Sequence, residues 1–508
     1  MRACFLPALA LTLLFGAVAA RAAGSAPEVQ TMLGRVQGAR LWDGTAVFRG
    51  LAFAKPPVGD LRWRAPEPVA AWTGVRPATT KAASCPQTSY GAWNAVDGAR
   101  GQEDCLYLDV RTPNPLTGAK LPVMVWIHGG GNRGGSMGDV VLSPLGGKGV
   151  VLVAVQYRLA ALGFMSHRAL SAQTADRTSG NYGLMDQIAA LHWVHENIAR
   201  FGGDPANVTL FGQSAGAQDV GLMMLTDGSR GLFQKAIEES GTADFGVPPR
   251  SLAQSEQVGE IVARLAGAPA AATSAQLRAL PVSALLAAGE AAKAPGLDDA
   301  SFIWLQATVD GRVLKHAPAD ILSAGRQQRV ALIIGSNARE LDLHGRDVRA
   351  AVQRLFGQDA PQALQLYGLD GKAMPAPDPR LGDVRLQIAD DVTFRCPAGA
   401  VAASQTRAGL PVWRYQYDVT PAKGAVTHSS ELASVLGDTL VTPPGASPSF
   451  GLSDYWVAFA KTGDPNSQGL AAWPRYTLDQ QPYLAFEDQG PQQKTKLRAP
   501  LCALLSSV

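Results

Sequence analysis

The chain has 508 residues, of which 46% are hydrophobic and 17% charged, and its formal net charge is +3. This composition excludes an intrinsically disordered chain and predicts a globular protein with a large core. Lys and Arg form no run of five residues, so the charge pattern does not favour nucleic acid or an acidic surface as a partner.

The chain begins with a segment typical of an export signal. Arg2 precedes the apolar stretch 5–20, and residues 20–22 (ARA) match a cleavage site. No other stretch approaches the roughly 20 apolar residues that span a bilayer. We therefore expect a signal peptide at 1–22, a single domain at 23–508 without a stable membrane anchor, and a secreted or periplasmic protein.

Cleavage removes Cys4 and leaves Cys85, Cys105, Cys396 and Cys502. In an oxidising compartment four cysteines allow three pairings. Sequence proximity favours Cys85 with Cys105, which leaves Cys396 with Cys502, and the alternative is four free buried thiols. No two cysteines have C-x2-C spacing, so metal ligation is not supported.

Six short, mostly apolar runs predict strands buried on both faces, as in a parallel sheet covered by helices. In chain order they are 122–127, 150–157, 208–211, 235–240, 330–336 and 411–417. Between the second and third runs, apolar residues recur at steps of three and four and predict an amphipathic helix over 184–201. They are Leu184, Ile188, Leu191, Val194 and Ile198.

Strands that alternate with helices predict an α/β fold with a large, mostly parallel central sheet and helices on both faces. Residues 250–295 and 345–400 are predicted as helical insertions, and 442–451 (TPPGASPSFG) as a loop. We expect these parts to belong to one domain, because no segment has the composition of a linker.

Ser214 lies in the pattern G-x-S-x-G, between Gly212 and Gly216. The strand predicted at 208–211 precedes it, and a stretch that can begin a helix, 215–225, follows. In this setting the glycines allow a sharp strand-to-helix turn that projects the serine hydroxyl outward, as a nucleophile requires. The alternative is an ordinary serine in a flexible glycine-rich turn.

A second glycine motif, HGGG at 128–131, directly follows the strand predicted at 122–127. A nucleophilic serine needs hydrogen-bond donors for the oxyanion that forms in acyl transfer. The backbone N–H groups of Gly130 and Gly131, with that of Ala215, are candidates for this oxyanion hole. The alternative is again a flexible turn.

The chain resembles the type-B carboxylesterases, a group of α/β-hydrolases that includes bacterial carboxylesterases, fungal lipases and cholinesterases. The resemblance covers nearly the whole mature chain. It is carried, in the family's order, by 48–72, 103–110, 125–131, 157–165, 180–217, 229–241 and 454–466. It implies the α/β-hydrolase fold and a carboxylic ester hydrolase that needs no cofactor.

The resemblance also implies the partners of Ser214. His428, in GAVTHSSEL (424–432), is similar to the family's G-x-x-H-x-x-E-L histidine and is the candidate base. The acid falls between serine and histidine in this fold. Glu340 matches the family's G-x-N-x-x-E glutamate, and Asp342 is its nearest rival. Asp390 and Asp391 are weaker ones.

Three residues near these motifs depart from the family pattern. Gln213 precedes Ser214 where many relatives carry glutamate, and Leu341 follows Glu340 where glycine is usual. Asn132 follows HGGG where an aromatic residue is common, so we expect a more polar acyl or entrance region.

Other matches imply structural roles. Arg62 and Glu103 match a structural salt bridge of the family, Cys85 and Cys105 match its first disulfide, and Cys396 with Cys502 resembles one found in some members. Ser240 corresponds to a family serine near the triad, where a supporting hydrogen bond or an ordinary strand-end position is expected.

The predicted function is hydrolysis of a small-molecule ester by water, through an acyl-enzyme. The same triad attacks several acyl groups, so lipase, thioesterase and amidase are alternatives. A non-catalytic adhesion relative receives little weight, because such relatives lose triad residues. Trp93 and Trp304 either line the substrate gorge or are buried structural residues, and burial is the favoured interpretation.

Overall fold

The structure is a computed structural model that describes residues 26–245, 249–294, 307–341, 347–421, 424–437 and 451–505. The predicted signal peptide, Trp304, Asp342 and nearly all of the loop predicted at 442–451 lie outside these ranges. Within them, no helix is both long enough and apolar enough to cross a membrane.

A large mixed sheet of eleven strands organises the described residues. From one edge to the other its strands are Gly490–Thr495, Pro482–Glu487, Val412–Asp418, Ala331–Asn337, Lys235–Glu239, Gly203–Gln213, Leu121–Ile127, Val151–Val155, Tyr107–Thr112, Ala46–Ala52 and Ala39–Arg40. Three short strands, Glu28–Gln30, Arg35–Gln37 and Val75–Pro77, form a small sheet, and Arg250–Ser251 pairs with Thr308–Val309.

The centre of the large sheet is parallel, as predicted. The seven strands from Pro482–Glu487 to Val151–Val155 are joined by parallel pairings. Antiparallel pairings extend this centre by one strand at one edge and by three at the other. Pro482–Glu487 and Gly490–Thr495 follow each other so closely that only antiparallel pairing can join them.

Both faces of the sheet are buried. In the strand Leu121–Ile127, Val123, Val125 and Ile127 belong to the apolar core on one face. The intervening Met124 and Trp126 belong to the core on the other. Because side chains alternate across a strand, a run that is apolar at every position is suited to a sheet covered on both sides.

Helices cover both faces, and most lie between consecutive strands. Their bounds are Ala95–Arg100, Ala160–Phe164, Arg168–Ser171, Tyr182–Asn197, Ala215–Leu225, Leu252–Leu265, Ser274–Arg278, Val282–Ala291, Pro318–Ser323, Val348–Phe356, Ala360–Leu366, Val384–Asp390, Cys396–Arg407, Leu432–Leu436, Leu452–Thr462 and Ala499–Leu505. Asp391–Arg395 forms a π-helical turn between two of them. The helical insertions predicted at 250–295 and 345–400 are confirmed.

All six predicted strands are present, and most of their ends differ by one or two residues from the prediction. The run at 208–211 belongs to a longer strand, Gly203–Gln213. The helix predicted at 184–201 is Tyr182–Asn197, followed by a 3-10 turn. It is more buried than an amphipathic helix, because it exposes only His192, His195 and Glu196.

Candidate active site

Ser214 occupies the sharp turn that its glycines predict. The strand Gly203–Gln213 ends directly before it, and the helix Ala215–Leu225 begins directly after it. Its backbone has φ 58° and ψ −126°, a sparsely populated conformation for a residue with a side chain. A β-carbon at Gly216 would clash with the carbonyl oxygen of Ile127, so the turn packs closely against the neighbouring strand.

The glycine turn at 128–131 begins where the adjacent parallel strand Leu121–Ile127 ends. Gly130 has φ 110°, and a β-carbon there would meet the carbonyl oxygen of Gly134. Within the described chain, the N–H groups of Gly130, Gly131 and Ala215 donate no hydrogen bond. These three N–H groups are the candidate oxyanion donors predicted from the sequence.

His428 and Glu340 are joined by a hydrogen bond of 2.6 Å between Nδ1 and Oε2. Glu340 follows the strand Ala331–Asn337, and His428 follows the neighbouring parallel strand Val412–Asp418. The Glu340 side chain is fully buried, whereas 13% of the His428 side chain is exposed. The backbone N–H of Asn337 donates to the other carboxylate oxygen, Oε1, at 2.6 Å.

The second nitrogen of His428 faces Gln213. Because Nδ1 carries the hydrogen donated to Glu340, Nε2 is an acceptor. The amide nitrogen of Gln213 lies 3.3 Å from Nε2 and donates to it. No hydrogen bond joins Nε2 to Oγ of Ser214 in the structure, although both residues line one cavity.

This cavity has a volume of about 750 Å³, a size suited to a small-molecule ligand. Ser214, His428, Gly130 and Gly131 line it together. The expectation of a buried Trp93 is wrong: its side chain is 47% exposed, lines the cavity and stacks on the Tyr90 ring. Its other wall residues are Lys81, Ala92, Val96, Asp97, Trp126, His128, Gly129, Arg133, Gly135, Ser136, Gly138, Asp139, Gln213, Leu341, Ser429 and Leu432.

Two weaker rivals for the acid are not placed beside His428. An oxygen of Asp390 accepts from the backbone N–H of Glu340 at 3.1 Å and from the buried guanidinium of Arg395 at 3.2 Å. Asp391 is bound by Arg395 and Arg498. Both carboxylates therefore lie behind Glu340.

Sequence reasoning did not identify the polar layer around Glu340. Asn337 donates from its amide to Glu431 at 2.6 Å and to Ser240 at 3.2 Å, so Ser240 has the supporting role considered for it. Burial, and then the negative charge of Glu340, raise the pKa of Glu431 to about 7. The sequence signal was Glu431 itself, three residues after His428 in THSSEL.

The prediction that Asn132 makes the entrance polar is wrong. Asn132 is fully buried and is not among the residues that line the cavity. It has φ 54°, in the left-handed region that Asn tolerates, and its side chain points to Asp219. The departure from the aromatic pattern therefore changes the support of the glycine turn.

The structural pairs are present as the resemblance implied. Arg62 and Glu103 form two hydrogen bonds of 2.6 Å. The disulfides join Cys85 to Cys105 and Cys396 to Cys502. Across the described ranges, no group of three His, Cys, Asp or Glu side chains is placed to hold a metal ion.

Comparisons with known proteins identify the family of the chain. The sequence model of the Carboxylesterase family matches residues 25–364 and 372–505. The chain is 34% identical to mouse liver carboxylesterase 1, over 89% of this chain and 88% of the relative. It is 33% identical to fumonisin B1 esterase of Sphingopyxis macrogoltabida, over 92% and 89%.

Solved structures show the same fold. A PNB esterase structure superimposes with a TM-score of 0.81 at 29% identity, and it covers 95% of this chain and 99% of its own. A carboxylesterase of Geobacillus stearothermophilus gives a TM-score of 0.78 at 30% identity, over 94% and 99%. The residues that match the family include the strands and the turns that carry Ser214, Glu340 and the HGGG motif. The chain belongs to the carboxylesterase family and is a carboxylic ester hydrolase.

Proposed function

We propose that the protein is a secreted or periplasmic serine hydrolase that cleaves carboxylic esters through an acyl-enzyme on Ser214. The observation that carries this proposal is the 2.6 Å bond from His428 to Glu340 in a site whose cavity also exposes Ser214. A serine on a strained turn, a histidine and a carboxylate that orients the histidine are the parts that nucleophilic acyl transfer requires.

In the acylation step, Oγ of Ser214 attacks the ester carbonyl carbon while its proton passes to Nε2 of His428. The carbonyl oxygen becomes an oxyanion, which accepts hydrogen bonds from the N–H groups of Gly130, Gly131 and Ala215. Those donors have no partner within the described chain, so stabilising the oxyanion breaks no existing bond. His428 then protonates the departing alcohol, and the acyl group remains on Ser214.

Deacylation repeats these steps with water. His428 removes a proton from water, the resulting hydroxide adds to the acyl carbon, and the acid leaves as Ser214 regains its proton. Glu340 stays ionised, holds the imidazole with Nδ1–H toward itself and stabilises the imidazolium that forms. The Nε2 contact with Gln213 must open in each step, because Nε2 has one lone pair.

Export is supported by the signal-like segment at 1–22 and by two disulfides, which persist in oxidising compartments. The single domain at 23–508 is consistent with one large sheet that takes strands from both halves of the chain.

The test is hydrolysis of p-nitrophenyl esters of increasing acyl length by the parent and by Ser214→Ala. We expect turnover with a burst of p-nitrophenol for the parent and none for Ser214→Ala. Ser404→Ala removes a buried serine that bonds Leu322 away from the cavity, and it controls for the loss of a hydroxyl. Equal turnover by the parent and Ser214→Ala would contradict the proposal.

Matched p-nitroanilides and thioesters extend the same panel. Faster turnover of the thioester or the anilide than of the ester would place the enzyme among thioesterases or amidases. A rate that rises toward long acyl chains would indicate a lipase, because only the length of the acyl chain changes along the series.

A further inference from the structure

A cluster of polar side chains lies buried behind the glycine turn. The amide nitrogen of Asn132 donates to Oδ1 of Asp219 at 3.0 Å, and the amide of Gln187 donates to Oδ2. The hydroxyl of Tyr157 lies 3.1 Å from the amide oxygen of Asn132 and 2.6 Å from the carbonyl oxygen of His128. Asn132, Asp219, Gln187 and Tyr157 are each fully buried.

This cluster connects the two segments that carry the proposed oxyanion donors. Asn132 directly follows Gly130 and Gly131, and its carbonyl oxygen accepts from Ala160 at 2.7 Å, so its backbone is fixed on both sides. Asp219 lies on the helix Ala215–Leu225, whose first residue supplies the third donor. The Asn132–Asp219 hydrogen bond is thus a side-chain link between the turn and the helix.

The cluster is costly to bury. Asp219 makes no ion pair with any described residue, and its hydrogen bonds come from two neutral amides. Burial raises the pKa of Asp219 to about 7, against the lowering effect of these two bonds. An apolar residue would fill the space at less cost, so the position of the carboxyl group calls for a role other than stability.

The cluster does not contact the substrate space. Neither Asn132 nor Asp219 lines the cavity, and the nearest wall residues of the turn are Gly130 and Gly131 themselves. Its residues can therefore act on the reaction only through the backbone that they hold.

We propose that Asn132 and Asp219 are positioning residues of the oxyanion hole: their hydrogen bond sets the glycine turn against the helix that begins after Ser214. This inference rests on the proposed function. It predicts that breaking the bond weakens binding of the oxyanion while leaving ground-state binding of the ester nearly unchanged.

The test compares Asn132→Gly, Asp219→Ala and the double variant. Glycine accepts the backbone conformation of Asn132, so Asn132→Gly removes the amide without straining the turn. We expect kcat/KM to fall about tenfold to a hundredfold in each single variant, since a displaced donor costs less than a missing one. The double variant should lose no more than either single one, because both remove the same bond.

The distinguishing readout is inhibition by a trifluoromethyl ketone that carries the acyl chain of the substrate. Ser214 adds to the carbonyl carbon of this ketone, and the adduct carries an oxyanion. Its inhibition constant should rise by the same factor as kcat/KM falls, while KM stays within about twofold. Asp219→Asn keeps an oxygen for Asn132 and should recover most of the activity. Thr209→Val, a buried and nearly isosteric change on the strand before Ser214, is the control for general loosening.

Unchanged kcat/KM in Asn132→Gly would overturn the inference, as would multiplied losses in the double variant. Equal weakening of KM and ketone binding, with a matching fall in Tm, would overturn it in favour of a general structural role. A parent enzyme that hydrolyses no ester, or a fully active Ser214→Ala, would instead refute the proposed function.

Discussion

Replacing Glu340 by Gln tests the proposed acid most directly, because the structure dictates how the amide must lie. The backbone N–H of Asn337 points at Oε1 of Glu340 and can only donate. In Glu340→Gln the amide oxygen must therefore take this position, and the NH₂ group must face Nδ1 of His428. Nδ1 then becomes an acceptor, the ring hydrogen moves to Nε2, and His428 no longer accepts the proton of Ser214.

The size of the effect follows from this change of tautomer. Replacing the acid of a serine-protease triad by its amide lowers kcat by about 10⁴, which corresponds to about 5.4 kcal/mol of transition-state stabilisation. Folding should be preserved. The carboxylate of Glu340 is one of the causes that raise the pKa of Glu431, so removing its charge relieves repulsion in the buried layer.

The assay is kcat for a short p-nitrophenyl ester, normalised by titration of reactive Ser214, with Tm measured in parallel. Asp342→Asn is the control, since Asp342 is the rival acid two residues along the chain. More than a tenth of parental kcat in Glu340→Gln, together with an inactive Asp342→Asn, would refute the assignment of Glu340.

Three further predictions use other contacts. The side chain of Gln213 lies 3.3 Å from Nε2 of His428, so the carboxylate of Gln213→Glu should favour the protonated imidazole. The acidic limb of the pH profile of kcat/KM should then move to higher pH, and a limb that does not move would contradict this contact. Replacing Cys396 and Cys502 together by Ser opens a loop of 106 residues and should lower the unfolding free energy by about 4.7 kcal/mol while kcat is retained. Urea denaturation measures this loss, and an unchanged midpoint would refute it. The pKa of Asp219 is raised to about 7 in the folded protein, so its burial lowers the unfolding free energy progressively as the pH rises from the pKa of the unfolded chain to about 7. Asp219→Asn should therefore be more stable than the parent by up to about 4 kcal/mol at pH 9 and by much less at pH 5. A difference in urea midpoint that is the same at both pH values would exclude this linkage.

The six strands that the sequence predicted all lie in the parallel centre of the sheet, where most strand residues are buried. Tyr107–Thr112 was missed although it is a buried strand of the sheet, because Asp109 and Arg111 interrupt its apolar pattern. Both side chains are buried in ion pairs, Asp109 with Arg49 and Arg111 with Asp43, and these partners lie 60 and 68 residues away in the chain. Gly490–Thr495 was missed for the opposite reason, since an exposed edge strand needs no apolar face.

The candidate site divides in the same way. The turn at Ser214 and the glycine turn are set by local sequence, since each follows an apolar strand and requires glycine where the backbones meet. His428 and Glu340 are 88 residues apart, and the family resemblance was needed to choose Glu340 over Asp342. The hydrogen bond from Asn132 to Asp219 joins residues 87 positions apart, and neither residue belongs to a motif that predicts the other as its partner. The departure at Asn132, interpreted as a polar entrance, is a buried contact.

The parallel register explains why these polar groups meet in one layer. Glu239 pairs with Gln213 on one side and with Gly335 on the other, so the neighbouring strands end at nearly the same level. Each of these strands is followed by a turn, and Ser214, Ser240 and Glu340 therefore lie at the same edge of the sheet. Burial raises the pKa of Glu239 and Glu431, and in each case the charge of a neighbouring carboxylate raises the pKa further. A slip of one residue in any of these strands would turn its side chains to the opposite face and separate Glu340 from His428. The stability of the two apolar faces is therefore what holds the geometry of the site, and destabilising changes in those faces should reduce the number of reactive Ser214 sites before they change kcat per site.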